Sequence, residues 1–384
     1  MSDIPHKELE SWRSEFPILE SRTYLNSCSL GALSHRSMRY LNEYQTLWNT
    51  MGASAWYELW MGRLAELREA VADHWNASAG EIALTPSVSA ALSSVASAVD
   101  YSTRNRVVVA DLDFPTLAYQ WMARPGVEVI RVPSDDGIGI SPERWAEYID
   151  ERTAVVATSH VFYSTGYIQD LAPIARAARD AGALFLVDGY QAAGQLPVDP
   201  RAMDADVYIA GPLKWMLGGP GLAYLWVREE IIESLTPTIA SWFGARDQFE
   251  FRIDELEFRD DAGRFTMGTP SIPTAYTALG GMEIMNQVGI GQIRDRISAL
   301  TEDLLRKLTT AGFQLHTADD PAHRSGIVMV HEPRSGEVVR SLAERDIIID
   351  SRGDFVRISP HFYNTAEENT EVVEAMASLR NGNG

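Results

Sequence analysis

Two stretches of the sequence, LVDGYQ at residues 186–191 and YIAGPLKWMLGGPG at residues 208–221, each place a polar residue after an apolar run. Asp188 follows the first run and Lys214 follows the second. In a mostly parallel sheet, the residues just beyond the strand ends face the ligand crevice. A buried lysine attacks carbonyl groups because burial lowers its pKa and only the neutral amine is a nucleophile. The pair therefore indicates Schiff-base chemistry, although each residue alone is typical of an ordinary turn.

Short β-branched runs alternate with helical patterns on both sides of these stretches. The runs lie at residues 106–111, 127–132, 154–161, 184–188 and 222–227. Helix candidates lie between them, for example at residues 141–149 and 171–180. This alternation is the pattern of βαβ units. The sequence therefore predicts the α/β class with a mostly parallel sheet.

The length and a change of pattern indicate the domain organisation. The 384 residues correspond to two or three domains at roughly 150 residues each. After residue 280, a long helix candidate at residues 287–310 leads to a second series of strands and helices. We predict a large domain at residues 76–280 and a smaller C-terminal α/β domain at residues 281–384. Residues 1–75, which are rich in Trp and Tyr, are predicted to pack on the small domain or on a partner subunit.

The composition narrows the possible partners and the location. A net charge of −20 repels phosphate backbones, so we expect no nucleic-acid partner. No apolar stretch approaches the ~18 residues of a membrane helix, and the first residues are polar, so we expect a cytoplasmic protein without membrane contact. Cys28 is the one cysteine. It leaves no disulfide and no cysteine metal cluster, and we expect no metal site.

Several further segments occur in a specific order and spacing, at residues 24–31, 113–116, 187–191, 212–214, 241–244, 264–270 and 357–365. Through them, nearly the whole chain resembles class V of the fold-type I pyridoxal 5'-phosphate (PLP) enzymes. This branch contains cysteine desulfurases, isopenicillin N epimerase-like proteins and kynureninases, and the chain is most similar to the kynureninase-like side. The resemblance implies PLP as cofactor. It also implies a large domain with a seven-stranded, mostly parallel sheet between helices, and a smaller C-terminal domain.

The resemblance implies roles for residues around the cofactor ring. Lys214 would form the Schiff base with PLP, and Asp188 would pair with the pyridinium nitrogen. Such a carboxylate keeps the ring protonated and electron-withdrawing. Gln191 would lie near the phenolic oxygen, and Phe114 would stack on the ring face.

The resemblance also implies how the phosphate and the substrate are held. Val88 and Ser89 match the phosphate-binding turn, where N–H groups at a helix start suit an anion. Thr269 would reach the phosphate from the other subunit of a homodimer. Arg357 would hold the carboxylate of a small amino-acid substrate through its two-pronged guanidinium. The alternative for Arg357 is a surface strand arginine paired with Asp354.

Departures from the family pattern restrict the reaction. Desulfurases need a nucleophilic cysteine in the C-terminal half, and Cys28 is far from that half in sequence, so we expect that the enzyme is not a cysteine desulfurase. Kynureninases carry a tyrosine before the lysine, an acid after Phe-Pro-Thr and an asparagine before a tyrosine. Those positions are Leu213, Leu117 and Phe162 here, which disfavours kynurenine hydrolysis.

The remaining residues leave several reactions of an α-amino acid open. Once the α-proton is removed, elimination, transamination and epimerisation can all follow. The leading hypothesis is a β-elimination of the C–S lyase type on a cysteine conjugate, because the kynureninase-like branch cleaves beyond Cα and needs no second keto-acid substrate. One alternative is transamination. Another is an epimerase or a decarboxylating variant in natural-product biosynthesis. An inactive scaffold on the same fold is the non-enzymatic alternative.

Overall fold

The computed structural model describes residues 5–381 of the chain. Its α-helices are α1 (His35–Met51), α2 (Met61–His74), α3 (Val88–Ala98), α4 (Pro115–Met122), α5 (Pro142–Ala146), α6 (Leu171–Asp180), α7 (Glu229–Ile232), α8 (Ile272–Val288), α9 (Ile290–Thr310), α10 (Ser335–Ala343) and α11 (Ala366–Asn381). Its strands are β1 (Thr23–Tyr24), β2 (Ile82–Thr85), β3 (Arg106–Ala110), β4 (Glu128–Val132), β5 (Thr153–Ser159), β6 (Leu184–Asp188), β7 (Val207–Ala210), β8 (Ala223–Val227), β9 (Val328–His331), β10 (Ile347–Ile348), β11 (Asp350–Arg352) and β12 (Phe355–Ile358).

A seven-stranded sheet forms the centre of the part of the chain that the structure describes. Its strand order is β2-β8-β7-β6-β5-β3-β4. The pairs from β7 to β4 are parallel, and β8 runs antiparallel to both of its neighbours. The predicted α/β class with a mostly parallel sheet is confirmed. The short strand β2 is not among the predicted runs, since four apolar residues do not distinguish a strand from a helix segment.

Both faces of this sheet are buried, as expected for parallel strands. Along β3, Val108 packs in the same apolar cluster as Trp75 on one face. Val107 and Val109 pack with Trp121 on the other face. The side chains alternate because successive residues of a strand point to opposite faces. The continuous β-branched runs in the sequence therefore correspond to strands that are covered on both sides.

The N-terminal segment divides between two parts of the fold. β1 pairs in parallel with β10, and the ring of Phe16 lies 4.5 Å from that of Tyr363. The helices α1 and α2 instead lie against α8 and the large sheet, where the Ser37 hydroxyl donates to the carbonyl of Thr277 at 2.8 Å. Residue 280, the predicted boundary, lies inside α8. The division into residues 1–75, 76–280 and 281–384 stays a prediction.

The C-terminal region is built on a second, antiparallel sheet with the order β11-β12-β9. The helix predicted near residues 287–310 is α9, and it is separated from α8 by Gly289. Apolar residues of α9, α10 and α11 form one buried cluster with this sheet. In residues 5–381, no helix combines the length and the apolar character that a membrane span requires.

Candidate active site

A cavity of about 350 Å³ lies at the carboxyl ends of the parallel strands. Strand register brings its polar residues together, since Ser159 at the end of β5 pairs with Asp188 at the end of β6. Small-molecule sites typically have volumes of roughly 300–1,000 Å³. The predicted site residues that line this cavity are Val88, Ser89, Phe114, Asp188, Gln191, Lys214 and Arg357.

Lys214 follows β7 and presents its amine to the cavity. The Nζ atom lies 4.7 Å from the centre of the Tyr190 ring. Burial lowers the pKa of Lys214 to about 8, and the charge of Arg357 also lowers it, against the opposing effects of Cys28 and Asp188. A larger fraction of this amine is therefore neutral than in an exposed lysine, as a nucleophile or a base requires.

The backbone around Lys214 is held by a close approach of the N-terminal segment. The Gly31 amide donates to the Leu213 carbonyl at 2.8 Å. A Cβ atom at residue 31 would lie 2.2 Å from the Lys214 carbonyl oxygen. Because only glycine permits this approach, Gly31 positions the turn that carries the lysine.

Asp188 is a buried carboxyl group with one oxygen available. Its Oδ1 accepts a hydrogen bond from the Tyr190 amide at 2.9 Å, whereas Oδ2 accepts none from the described residues. Burial raises the pKa of Asp188, while that hydrogen bond and the charge of Lys214 lower it. An oxygen free to meet a protonated ring nitrogen is what a PLP site requires.

The start of α3 supplies the anion-binding part of the cavity. Ser87 caps the helix, because its hydroxyl accepts from the Ala90 amide at 3.1 Å. The first amides of a helix have no partner within the helix and attract anions, so the amides of Val88 and Ser89 are suited to a phosphate. The Ser89 hydroxyl lies 2.6 Å from that of Thr116, and Thr116 also lines the cavity.

An aromatic ring and a side-chain amide also line this cavity. Phe114 leaves 46% of its surface exposed and meets the Tyr163 ring edge-on at 5.1 Å, so a flat ligand could stack on it. The Gln191 side chain is fixed at both ends. It accepts from the Trp215 indole at 2.8 Å and donates to the Cys28 carbonyl at 2.9 Å.

Arg357 is buried in the wall of the cavity, with 1% of its surface exposed. Its Nη2 donates to the Asp350 carboxylate and to the Ser29 hydroxyl, each at 2.7 Å. Its Nη1 donates to the Tyr163 carbonyl at 3.0 Å, and its buried Nε has no partner among residues 5–381. The alternative of a surface arginine paired with Asp354 is wrong, because the paired acid is Asp350. The role of Arg357 towards substrate stays a prediction.

Cys28 lies in this cavity, contrary to what its position in the sequence indicates. It lines the same space as Lys214, although its residue surface is fully buried. Its amide donates to the Ser359 hydroxyl at 3.0 Å, which holds it against the C-terminal region. Distance along the chain is therefore no argument against a thiol at this site.

Thr269 does not line the cavity. It is exposed and follows Gly268, whose φ of +80° marks a turn. The reach of Thr269 into a partner's site stays a prediction. Of the three departures from the kynureninase pattern, Leu213 lines the cavity, whereas Leu117 and Phe162 are buried in the core.

Some lining residues were not identified from the sequence. They are Ser29, Ser87, Thr116, Ser159, Tyr163, Tyr190 and Arg352. Most of them lie within a few residues of a recognised motif, and this proximity in sequence could have identified them. The sequence signal for Arg352 is weaker, because it consists only of arginines on both sides of the tight turn at Gly353. Within residues 5–381, no group of three or more His, Cys, Asp or Glu side chains could hold a metal ion.

The fold and this cavity define a PLP enzyme of fold type I, and sequence comparison specifies the family. The model of the family described as "Aminotransferase class-V" matches residues 24–372. The chain belongs to the class-V aminotransferase family. The uncharacterized aminotransferase YcbU of Bacillus subtilis is 33% identical over 369 residues, which cover 96% of this chain and 97% of that protein.

Two other relatives represent the two activities considered from the sequence. A probable cysteine desulfurase of Methanothermobacter thermautotrophicus is 29% identical, over 94% of this chain and 95% of its own. A kynureninase of Geobacillus thermodenitrificans is 26% identical, over 97% and 91%. The predicted class V resemblance is confirmed. The exclusion of cysteine desulfurases is not supported, because a desulfurase is among the relatives and Cys28 lines the cavity.

Solved structures agree with the fold. The apo cysteine desulfurase of Thermococcus onnurineus NA1 superposes with a TM-score of 0.88 at 22% identity, over 100% of this chain and 99% of that one. A C-DES structure with glycine linked to the PLP cofactor gives 0.87 at 22% identity, over 95% and 98%. These structures confirm the predicted fold-type I architecture, and the match to the class-V aminotransferase family confirms the predicted cofactor PLP.

The residues that line this cavity are suited to hold PLP. The ring nitrogen would meet the free Oδ2 of Asp188, the aldehyde would meet the amine of Lys214, and the phosphate would meet the amides at the start of α3. Each of these groups lines one cavity. PLP supplies an electron sink for the carbon that loses a substituent.

Proposed function

We propose that this chain catalyses β-elimination of a cysteine S-conjugate, a reaction of the C–S lyase type. The observation that carries this proposal is one cavity lined by a lysine whose pKa is lowered, a buried arginine and a cysteine with no exposed surface. Elimination needs a base and an anchor for the substrate, whereas desulfuration needs a thiol that reaches the substrate sulfur. The single thiol, Cys28, is fully buried.

The residues have separate tasks in this reaction. The neutral Lys214 amine takes the proton from Cα, and its lowered pKa suits this role. Arg357 holds the carboxylate, which orients the bond that breaks. The electron pair of the C–S bond leaves with the sulfur, and a proton returns to it. One water is consumed in total, and the products are the thiol, pyruvate and ammonium.

A protein with a similar fold supports the proposed reaction. A cystine C-S lyase, C-DES, solved with its product cysteine persulfide, superposes with a TM-score of 0.85 at 23% identity, over 94% of this chain and 99% of that one. The likeness concerns the fold. It supports the proposal because a fold of this geometry accommodates the cleavage of a C–S bond.

Transamination is the second candidate, and the relative YcbU, an uncharacterized aminotransferase, favours it. The same lysine would take the proton from Cα in that reaction as well. The cavity would then have to accept a keto acid as a second substrate. An epimerase or a decarboxylating variant would use the same residues, but nothing in the cavity favours either of them.

We expect the holoenzyme to release pyruvate and ammonium in equal amounts from cysteine S-conjugates without any added keto acid. The measurement is product analysis over a panel of conjugates, with L-cysteine and L-kynurenine included. Turnover that depends on a keto acid would establish the aminotransferase instead. Alanine formed from L-cysteine would establish a desulfurase, and either result would contradict the lyase.

We also propose that the protein is a homodimer with Thr269 completing the partner's phosphate site. The segment from Trp242 to Leu256 exposes an aromatic and aliphatic patch, in which Trp242, Phe249 and Phe251 contact one another. Exposed apolar patches of this kind mark protein interfaces. A second copy of the chain is the simplest partner that would bury this patch, because symmetric dimers are the most common oligomers.

Mixing two inactive variants is expected to restore activity if Thr269 acts across the interface. Thr269→Glu should repel the phosphate by its like charge and weaken cofactor binding, and Lys214→Ala removes the reactive amine. A mixed dimer has one intact site, built from Lys214 of one protomer and Thr269 of its partner. Activity after unfolding and refolding the mixture checks this, with Lys214→Ala refolded alone as control. No recovery, or a fully active monomer, would contradict it.

A further inference from the structure

The turn that carries Lys214 contains a strained residue. Within the turn, the Leu217 amide donates to the Lys214 carbonyl at 3.2 Å, and the Gly218 amide donates to the Pro212 carbonyl at 2.8 Å. Leu217 has a φ of +59°, in the left-handed region that residues with a side chain rarely adopt. Such a conformation persists only where the surrounding structure holds it in place. The turn therefore depends on contacts with other segments of the chain.

Two distant segments contact the peptide groups on either side of Lys214. Before the lysine, the Leu213 carbonyl accepts from the Gly31 amide at 2.8 Å. After the lysine, the Trp215 carbonyl lies 3.0 Å from Nε2 of His361. The first contact comes from the N-terminal segment and the second from the C-terminal region. The backbone of the lysine is therefore fixed from both ends of the chain.

His361 is a neutral ring that donates to the Trp215 carbonyl. It is fully buried, and its Nδ1 accepts from the Phe362 amide at 2.8 Å. Burial lowers the pKa of His361 to about 4, against the opposing effect of the Trp215 carbonyl. A neutral imidazole carries one proton, and this proton is on Nε2 because Nδ1 is the acceptor. Both ring nitrogens are therefore engaged with the backbone, and neither is available to a ligand.

We infer that His361 is a positioning residue for Lys214 and acts through its hydrogen bond to the Trp215 carbonyl. A fixed peptide group sets the direction in which the lysine side chain leaves the backbone, so the amine stays in the buried part of the cavity. Arg357 precedes His361 by four residues, so one segment holds both the arginine and the lysine. The inference rests on the proposed function only in that Lys214 is the reactive amine.

Two substitutions separate this role from simple packing. The side-chain amide of glutamine can occupy the place of Nε2, so His361→Gln keeps a donor for the Trp215 carbonyl and loses the acceptor for the Phe362 amide. Asparagine reaches only the place of Nδ1, so His361→Asn keeps the acceptor and loses the donor. If His361 positions the lysine, His361→Gln is the milder change. If it only packs the C-terminal region, His361→Asn is equally mild or milder.

The first measurement is the pKa of the Lys214 amine in the full-length protein without PLP. It is obtained from the pH dependence of trace acetylation with acetic anhydride, read by mass spectrometry, with the exposed Lys7 as reference in the same sample. In His361→Asn, we expect the pKa of Lys214 to rise from about 8 toward that of an exposed lysine, because a displaced amine gains contact with water. In His361→Gln, it should stay near 8.

The second measurement is the rate at which the visible band appears after PLP is added. We expect this rate to fall by roughly 10–100-fold in His361→Asn, as for a misplaced reacting group, and to stay near that of the wild type in His361→Gln. His35→Gln is the matched control, because His35 is exposed and does not line the cavity. It should change neither measurement.

Equal pKa values and rates in the two variants, or a milder effect of His361→Asn, would overturn the inference. Loss of folding in both variants, measured by circular dichroism, would assign His361 to the stability of the core and overturn it as well. A wild type that forms no band with PLP would overturn it together with the role of Lys214. Expected results at His361 without pyruvate from any conjugate would contradict the lyase reaction alone.

Discussion

Replacing Lys214 with alanine is expected to abolish the visible absorbance band of the protein–cofactor complex. The chain has three lysines, Lys7, Lys214 and Lys307, and Lys214 is the one that lines the cavity. Its loss removes the group that binds the aldehyde carbon and the base that takes the α-proton. We expect turnover to fall by about 10⁴-fold or more, the upper range for the loss of an acid–base group.

The measurement is the absorbance spectrum after incubation with PLP, together with turnover. Lys7→Ala is the control, since Lys7 is exposed and outside the cavity, and its spectrum should equal that of the wild type. A Lys214→Ala protein that keeps the band would show that another amine holds the cofactor. A colourless wild type that PLP cannot reconstitute would favour an inactive scaffold on this fold.

Replacing Arg357 with lysine is expected to reduce kcat/KM by about 10²–10³-fold, because charged hydrogen bonds contribute about 1.5–3 kcal/mol each. A lysine keeps the positive charge, but its ammonium cannot reach Asp350, Ser29 and the Tyr163 carbonyl from one planar group. Asp350 would lose part of its pairing inside the wall of the cavity. The carboxylate of the substrate would then lose its guanidinium donor.

The cofactor band is expected to survive in Arg357→Lys, because the hydrogen bonds of Arg357 go to Tyr163, Ser29 and Asp350 and not to Lys214 or Asp188. Kinetics with a cysteine conjugate and the absorbance spectrum measure the two effects separately. Arg340→Lys, at an exposed position on α10, is the matched control. An Arg357→Lys enzyme with wild-type kcat/KM would remove Arg357 from the substrate site.

The parts of the active site that follow directly from strand ends could be predicted from the sequence. Asp188 and Lys214 each come directly after an apolar run, and the ends of parallel strands meet at one edge of a sheet. The phosphate turn at Val88 was predicted from the family resemblance. It is consistent with the structure, because the start of a helix exposes amides that attract anions.

The contacts of Arg357 could not be predicted from the sequence. Asp350 and Asp354 are both acids near Arg357 in sequence, and composition does not distinguish them. The antiparallel register of β11 and β12 decides the choice, because it sets Asp350 opposite Arg357. Asp354 lies instead in the turn that joins the two strands.

The sequence by itself determined the α/β class, the lysine and the acid, because strand periodicity and the residue after each strand are local properties of the chain. Only the tertiary structure decided that Cys28 and Arg352 share a cavity with Lys214. The Gly31 turn brings the N-terminal segment against the lysine, and the β11–β12 hairpin brings Arg352 from the C-terminal region. Contacts between distant segments depend on the path of the chain between them, and no local pattern of residues predicts that path.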